Sequence, residues 1–157
     1  MEVNISFFVS IVISAFLVII TTTLFYEVMR LVWQYLLPEM KNRPYLLINL
    51  LMLAIFSVHT VAVWTYGLTY WLLSVYFPEF GTLVGENSGG FMDAVYFSAS
   101  TYSSLAFGDI FPKKEMRMIA GVEVLNGLIL IGWSVYFTYL AMEKIWNLHP
   151  PRNKKDV

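Results

Sequence analysis

The 157-residue chain is 58% hydrophobic and only 13% charged, where a soluble domain is about 45–50% apolar and about 25% charged, so it belongs in a bilayer. A net charge of −1 and the absence of cysteine exclude the basic surface that nucleic-acid binding needs, and with it disulfides, thiolate nucleophiles and sulfur-ligated metals. No Walker loop and no metal or triad constellation supports an enzyme, and the length leaves no room for a soluble domain beside spanning helices.

Crossing a hydrocarbon core of about 30 Å takes about 20 mostly apolar residues in a helix. Three stretches qualify: Ile5 to Phe25, Tyr45 to Phe77 and Met118 to Met142. The first two carry no charge and the third only Glu123. Ahead of the first stand Glu2 and no Lys or Arg, and no small-residue cleavage pattern follows, so it reads as a retained spanning helix rather than a signal peptide. It continues through "YEVMRLVWQYLL" to Pro38, with Glu27 and Arg30 placed to pair on one face. At the rise of an α-helix this run is about 50 Å long and must tilt, bend or project. The linker "PEMKNRP" then closes a tight hairpin into the second helix.

Lys and Arg bias in short loops sets orientation. Arg30, Lys41 and Arg43 flank the first hairpin, and Lys144, Arg152, Lys154 and Lys155 follow the third helix. These can share the cytoplasmic side only if the segment between helices two and three, with Glu79, Glu86, Asp93, Asp109 and Glu115 against Lys113, Lys114 and Arg117, lies outside. The expectation is a multi-pass protein of the plasma membrane, N-terminus outside and C-terminus cytoplasmic. Trp33, Tyr35, Tyr70, Trp71, Tyr76 and Trp146 fall near helix ends, where aromatic belts form.

Between the second and third helices, "FPEFGTLVGENSGG" reads as an acidic surface loop, after which Asn87 or Ser88 could cap a short helix with Asp93 in its first turn. From Phe91 to Thr101 there is room for about 15 Å of helix, half the bilayer core. Such a segment cannot span. Non-helical backbone at that depth is tolerated only where it is buried in protein or lines a wet cavity, so the region reads as re-entrant: in as a helix, back as an extended strand.

That returning stretch is "TYSSLAFGDIFP", residues 101 to 112. Its carbonyls lack backbone partners, a cost of several kcal/mol each, and a permeating cation can supply the missing contact. "SLAFGD" resembles the Thr-Val-Gly-Tyr-Gly filter of potassium channels followed by its usual Asp, "YFSAST" stands where that family has its aromatic-rich pore helix, and "DIFP" where the turn after the filter lies. The resemblance covers about the last 70 residues well. It implies an all-α membrane protein: three transmembrane helices plus a re-entrant pore helix and filter loop. The regions are an additional N-terminal helix (1–37), an outer helix (43–77), pore helix and filter (91–110) and an inner helix (116–146), within one membrane domain.

Further residues take roles from the same resemblance. Ser104 occupies the threonine position, Leu105, Ala106 and Phe107 supply the next filter carbonyls, Gly108 the upper turn and Asp109 the acidic ring at the outer mouth. Gly127 and Gly132 match the inner-helix glycines, the hinge candidates, and Leu128, Ile131, Val135 and Tyr139 then share the pore-facing side. Ala106 stands where the family has a left-handed glycine, a conformation costing a residue with a Cβ roughly 1–2 kcal/mol, which implies a relaxed filter; potassium-selective and poorly selective conduction are both open. Phe107 lacks the tyrosine hydroxyl, and its pore-helix neighbour Phe97 is also apolar. Since one loop supplies a quarter of a carbonyl ring, a homotetramer is implied, with lipid, K⁺ and, with a relaxed filter, Na⁺ as partners and no bound cofactor.

Glu123, an ionisable group inside a spanning helix, is about 140° around the helix from Leu128 and points behind the pore, where a protonated or hydrogen-bonded glutamate is expected to hold Tyr102 or Ser103 in support of the filter, a role in gating or permeation being the alternative. His59 lies at a comparable depth and could pair with it; a satisfied structural histidine and a pH sensor are the two readings. Asn4 begins a glycosylation sequon close to the membrane, and "HPPRNKKD" reads as a short basic tail attracted to anionic lipid. No arginine-repeat helix of a voltage sensor occurs. The competing reading is a non-conducting interaction or assembly protein with channel architecture; a small secondary transporter is weaker, for want of an internal repeat.

Overall fold

The computed structural model describes residues 5–39, 43–85, 89–105 and 108–148. Among the described residues, three helices are long and apolar enough to cross a membrane, spanning Ile5–Leu36, Pro44–Tyr76 and Met116–Asn147. The chain is a multi-pass membrane protein.

Helix α1 (Ile5–Leu31) passes into a π-helical turn, Val32–Leu36, and a short α2, Leu37–Glu39. At the end of the turn the Leu37 N–H donates to the Val32 carbonyl, five residues back instead of four. Pro38 is the reason: a proline inside a helix has no N–H to donate and crowds the carbonyl four residues earlier. A wider turn just before it relieves the crowding and carries the helix one residue beyond the expected stop. The Glu27–Arg30 pair is present at 2.6 Å, half-exposed, and contributes little stability there.

The buried stripe of α1 is Ser10, Ser14, Leu17, Thr21, Phe25 and Met29, spaced by three and four residues so that one face packs. Its hydroxyls turn back onto their own helix, Ser14 to the Ser10 carbonyl at 2.7 Å and Thr21 to Leu17 at 2.8 Å. With lipid as apolar as leucine, such small residues let backbones approach and gain dispersion contacts. The stripe faces α3 (Pro44–Tyr76) and α5 (Met116–Leu148). Phe25 stacks on Trp133 at 6.0 Å and Trp33 meets Phe137 at 5.9 Å further along, so α1 and α5 run in the same direction. Phe25 also meets His59 at 5.6 Å, while Thr21 shares Asn126 with Tyr66; α3 therefore runs the opposite way.

The short helix α4 (Phe91–Tyr102) has 12 residues, about 18 Å at the α-helical rise, against a core of about 30 Å. Its N-cap is Gly90, whose N–H donates to the Asp93 carboxylate at 2.8 Å. Asp93 thus sits in the first turn as expected, but the cap is not Asn87 or Ser88, which lie outside the described residues. α4 packs between α3 and α5. At Gly67 of α3 an added Cβ would stand 2.8 Å from the Val95 Cα, so α3 and α4 meet backbone to backbone.

Two short strands, whose pairing was not foreseen in the sequence, tie together the segments before and after α4. β1 (Leu83–Gly85) pairs antiparallel with β2 (Ile110–Pro112), Val84 opposite Phe111. Strands of three residues carry no usable periodicity, which is why the first read as plain loop. Beneath them lies a core of Tyr66, Tyr70, Phe80, Phe97, Met116 and Ile119. Tyr70 accordingly belongs to the interior, 0% exposed, and not to the aromatic belt assigned to it. Trp33, Tyr35, Tyr76 and Trp146 are exposed as a belt requires.

Candidate functional site

The segment after α4 begins with a helix-ending turn. The Leu105 N–H donates to the Ser100 carbonyl at 2.9 Å and the Ser104 N–H to Thr101 at 3.0 Å, the two bonds of a Schellman motif. That motif places its penultimate residue in the left-handed region, and Ser104 is there, with φ of 62°. A residue with a Cβ meets a cost of roughly 1–2 kcal/mol in that conformation. Ser103 and Ser104 therefore close the helix, where the sequence placed them in the returning stretch of residues 101 to 112. Leu105 follows, exposed; Ala106 and Phe107 lie outside the described residues. Gly108 has φ of 83°, and Asp109 is held by a hydrogen bond from the Tyr96 hydroxyl of α4. Among the described residues of this segment, Ser104 and Gly108 have positive φ.

Behind this segment, α5 presents Glu123, Asn126, Leu130 and Ser134 on one buried face; every polar member reaches α3, and Glu123 also reaches α4 and Asn126 α1. The Tyr70 hydroxyl donates to Glu123 Oε2 at 2.6 Å, and Ser98 Oγ lies 2.5 Å from Oε1. Glu123 thus points behind the filter segment toward α4, as the helical geometry required. Its partners, however, are Tyr70 and Ser98, not Tyr102 or Ser103. Register explains the difference: a Cβ on Gly127 would collide with the Tyr102 carbonyl, so Gly127 is level with Tyr102, and Glu123, one turn earlier, is level with Ser98, one turn earlier on α4. Ser103 instead donates to Ala99 at 2.7 Å.

His59 does not pair with Glu123. Its Nδ1 lies 2.8 Å from the Tyr102 hydroxyl and its Nε2 2.6 Å from Ser134 Oγ. On the antiparallel α3, Tyr70 and Tyr66 occupy the levels of Glu123 and Asn126, leaving His59 about three turns from Tyr70 and level with Ser134. Ser134 Oγ donates to the Leu130 carbonyl at 2.9 Å, so it accepts from Nε2–H, and Nδ1 accepts from the Tyr102 hydroxyl. Between these levels, Asn126 Nδ2 donates to Thr21 Oγ1 at 2.8 Å and to the Tyr66 hydroxyl at 3.3 Å. The sequence reading passed over Ser98, Asn126, Ser134 and Thr21. An asparagine amid the apolar run of α5 was the available signal, since polar side chains inside a bilayer seek partners on neighbouring helices.

The opposite side of α5 carries Leu128, Ile131, Val135 and Tyr139, exposed by 50%, 38%, 67% and 59%, so α1, α3 and α4 leave this stripe uncovered. Of the two hinge candidates, Gly127 is a point of close helix contact, whereas Gly132 is exposed with nothing near it. A family model described as "Ion channel" matches residues 47–144, well over half of the chain. The chain belongs to the ion-channel family. No curated protein and no solved structure matches it. The matched span takes in most of α3, all of α4 and most of α5, so in this channel α1 lies outside the unit that the family shares.

Proposed function

We propose that the protein is a homotetrameric channel conducting monovalent cations passively through a filter formed by residues 104–108 of four subunits. The observation that carries this reading is a helix too short to span, α4, leading directly into the segment that resembles a filter, inside a chain of the ion-channel family. A helix C-terminus carries partial negative charge, and α4 ends next to that segment, so dipole and carbonyls favour a cation at the same place. On this reading α4 and residues 103–110 form the re-entrant loop. Ser104, Leu105, Ala106, Phe107 and Gly108 coordinate ions, Asp109 forms the outer ring, and Leu128, Ile131, Val135 and Tyr139 line the pore from α5. Region 1–37 is an additional helix beside an ordinary outer helix (43–77) and inner helix (116–146). The N-terminus faces outward and the C-terminus the cytoplasm of a plasma-membrane protein.

Ala106 governs selectivity in this account. Purified protein in liposomes is expected to pass K⁺ down its gradient, with reversal potentials in mixed K⁺ and Na⁺ showing incomplete discrimination, and Ala106→Gly is expected to sharpen the preference for K⁺ because it removes the Cβ from a position suited to glycine. Absence of cation flux would favour a non-conducting assembly role, and unchanged selectivity in Ala106→Gly would remove the backbone argument.

A further inference from the structure

Ser98 presents a proton count that fixes the state of its neighbour. Its Oγ lies 2.8 Å from the Val63 carbonyl and 2.5 Å from Glu123 Oε1, both acceptors when Glu123 is ionised, yet a serine hydroxyl has a single proton to give. If Glu123 were a carboxylate, the proton would lie toward it and the oxygens of Ser98 and Val63 would face each other lone pair to lone pair. If Glu123 carries a proton on Oε1, every group is satisfied: Oε1–H donates to Ser98 Oγ, Ser98 donates to the Val63 carbonyl, and Oε2 accepts from Tyr70. The surroundings agree. Glu123 is 0% exposed, its hydrogen-bonding partners are two neutral hydroxyls, and an unpaired charge inside a spanning helix is costly. The titratable groups facing it are Tyr66 and Tyr70 of α3 and Tyr102 of α4. α1 brings Leu17 and Thr21 to this region, neither of which titrates.

We propose that Glu123 is held as a neutral carboxylic acid whose proton, donated to Ser98, positions the helix leading into the filter against both α3 and α5. The chain of bonds runs from α5 through Ser98 of α4 to the α3 backbone. Ionising Glu123 sends its proton to hydroxide as water, turns the Ser98 proton toward the carboxylate and breaks the bond from Ser98 to Val63. The consequence for ion flow rests on the channel reading above: conduction falls at alkaline pH as the hold on α4 is lost.

Infrared difference spectra of the full chain in lipid, wild type minus Glu123→Gln at neutral pH, test the proton directly. The expected result is a carboxylic-acid C=O stretch in the wild type that is absent from the variant. In Tyr70→Phe, which strips the hydrogen bond from the carbonyl oxygen, that band moves to higher wavenumber. A difference spectrum containing only carboxylate bands overturns the proposal. Cation flux from liposomes against pH is the second readout. Glu123→Gln, whose amide donates to Ser98 and whose oxygen accepts from Tyr70, retains its neutral-pH flux and loses the alkaline decline seen in the wild type. An alkaline decline that persists in Glu123→Gln overturns the positioning role. If no form conducts, the infrared bands still decide the state of Glu123, and it is the channel reading that fails.

Discussion

Gly127→Ala is expected to destabilise the protein and to abolish or strongly reduce cation flux, although a glycine-to-alanine change inside an exposed stretch of helix is ordinarily favourable by roughly 0.8–1 kcal/mol. The sign reverses because the new Cβ meets the Tyr102 carbonyl oxygen, with its carbonyl carbon at 3.0 Å. Backbone cannot swing aside as a flexible side chain can, so α4 and α5 must separate, and overpacking of this kind costs about 1–3 kcal/mol. The net effect should be a loss of up to about 2 kcal/mol. Function suffers more than stability, since Tyr102 is the last residue of α4 and a displaced carbonyl there shifts the start of the filter. Gly132→Ala is the control, because its Cβ would meet nothing within 4 Å and should stabilise the same helix. Thermal unfolding of both variants in detergent, with flux measured in liposomes, checks the pair. Equal stability of the two would contradict the contact between Gly127 and Tyr102.

His59→Leu is expected to cost about 1–3 kcal/mol, the penalty for leaving a buried donor without its acceptor. The donor is the Tyr102 hydroxyl, 4% exposed as a residue and bonded to Nδ1. Ser134 suffers less, because its own proton remains on the Leu130 carbonyl. Adding Tyr102→Phe to His59→Leu removes the stranded hydroxyl and should restore most of the loss. A double-mutant cycle on unfolding free energy therefore shows a large coupling, whereas additive effects would mean the two side chains do not share the bond.

Much of the architecture could be read from residues alone because membrane burial is so restrictive. Stretches such as Met118 to Met142 can be little else than spanning helices, and the start of α4 at Phe91 followed from the glycines and acid around it. The direction of Glu123 came from helical angle alone. Its partners did not, because identifying Ser98 and Tyr70 required the relative heights of three helices, which are fixed by backbone contacts at Gly67 and Gly127. The same missing register produced the mistaken pairing of Glu123 with His59. β1 and β2 escaped notice because their signal is pairing across the filter segment, not pattern within three residues. The π-helical turn before Pro38 was foreshadowed only as a bend. Asn4, Lys41, Glu86, Ala106, Phe107 and the tail from 149 onward lie outside the described residues, so the expectations attached to them rest on sequence.

The hydrogen bonds from α5 give the additional helix a place in this arrangement. Asn126 ties Thr21 of α1 to Tyr66 of α3 one turn below the Glu123 contacts, so α1 is anchored to the helix that also holds α4.

A density map of the protein in lipid nanodiscs tests the central claim most directly. It should show four subunits around one axis, residues 104–108 lining it with density for dehydrated or partly hydrated cations, and Leu128, Ile131, Val135 and Tyr139 facing the cavity below. A single subunit whose residues 104–108 and exposed α5 stripe meet only lipid would contradict it.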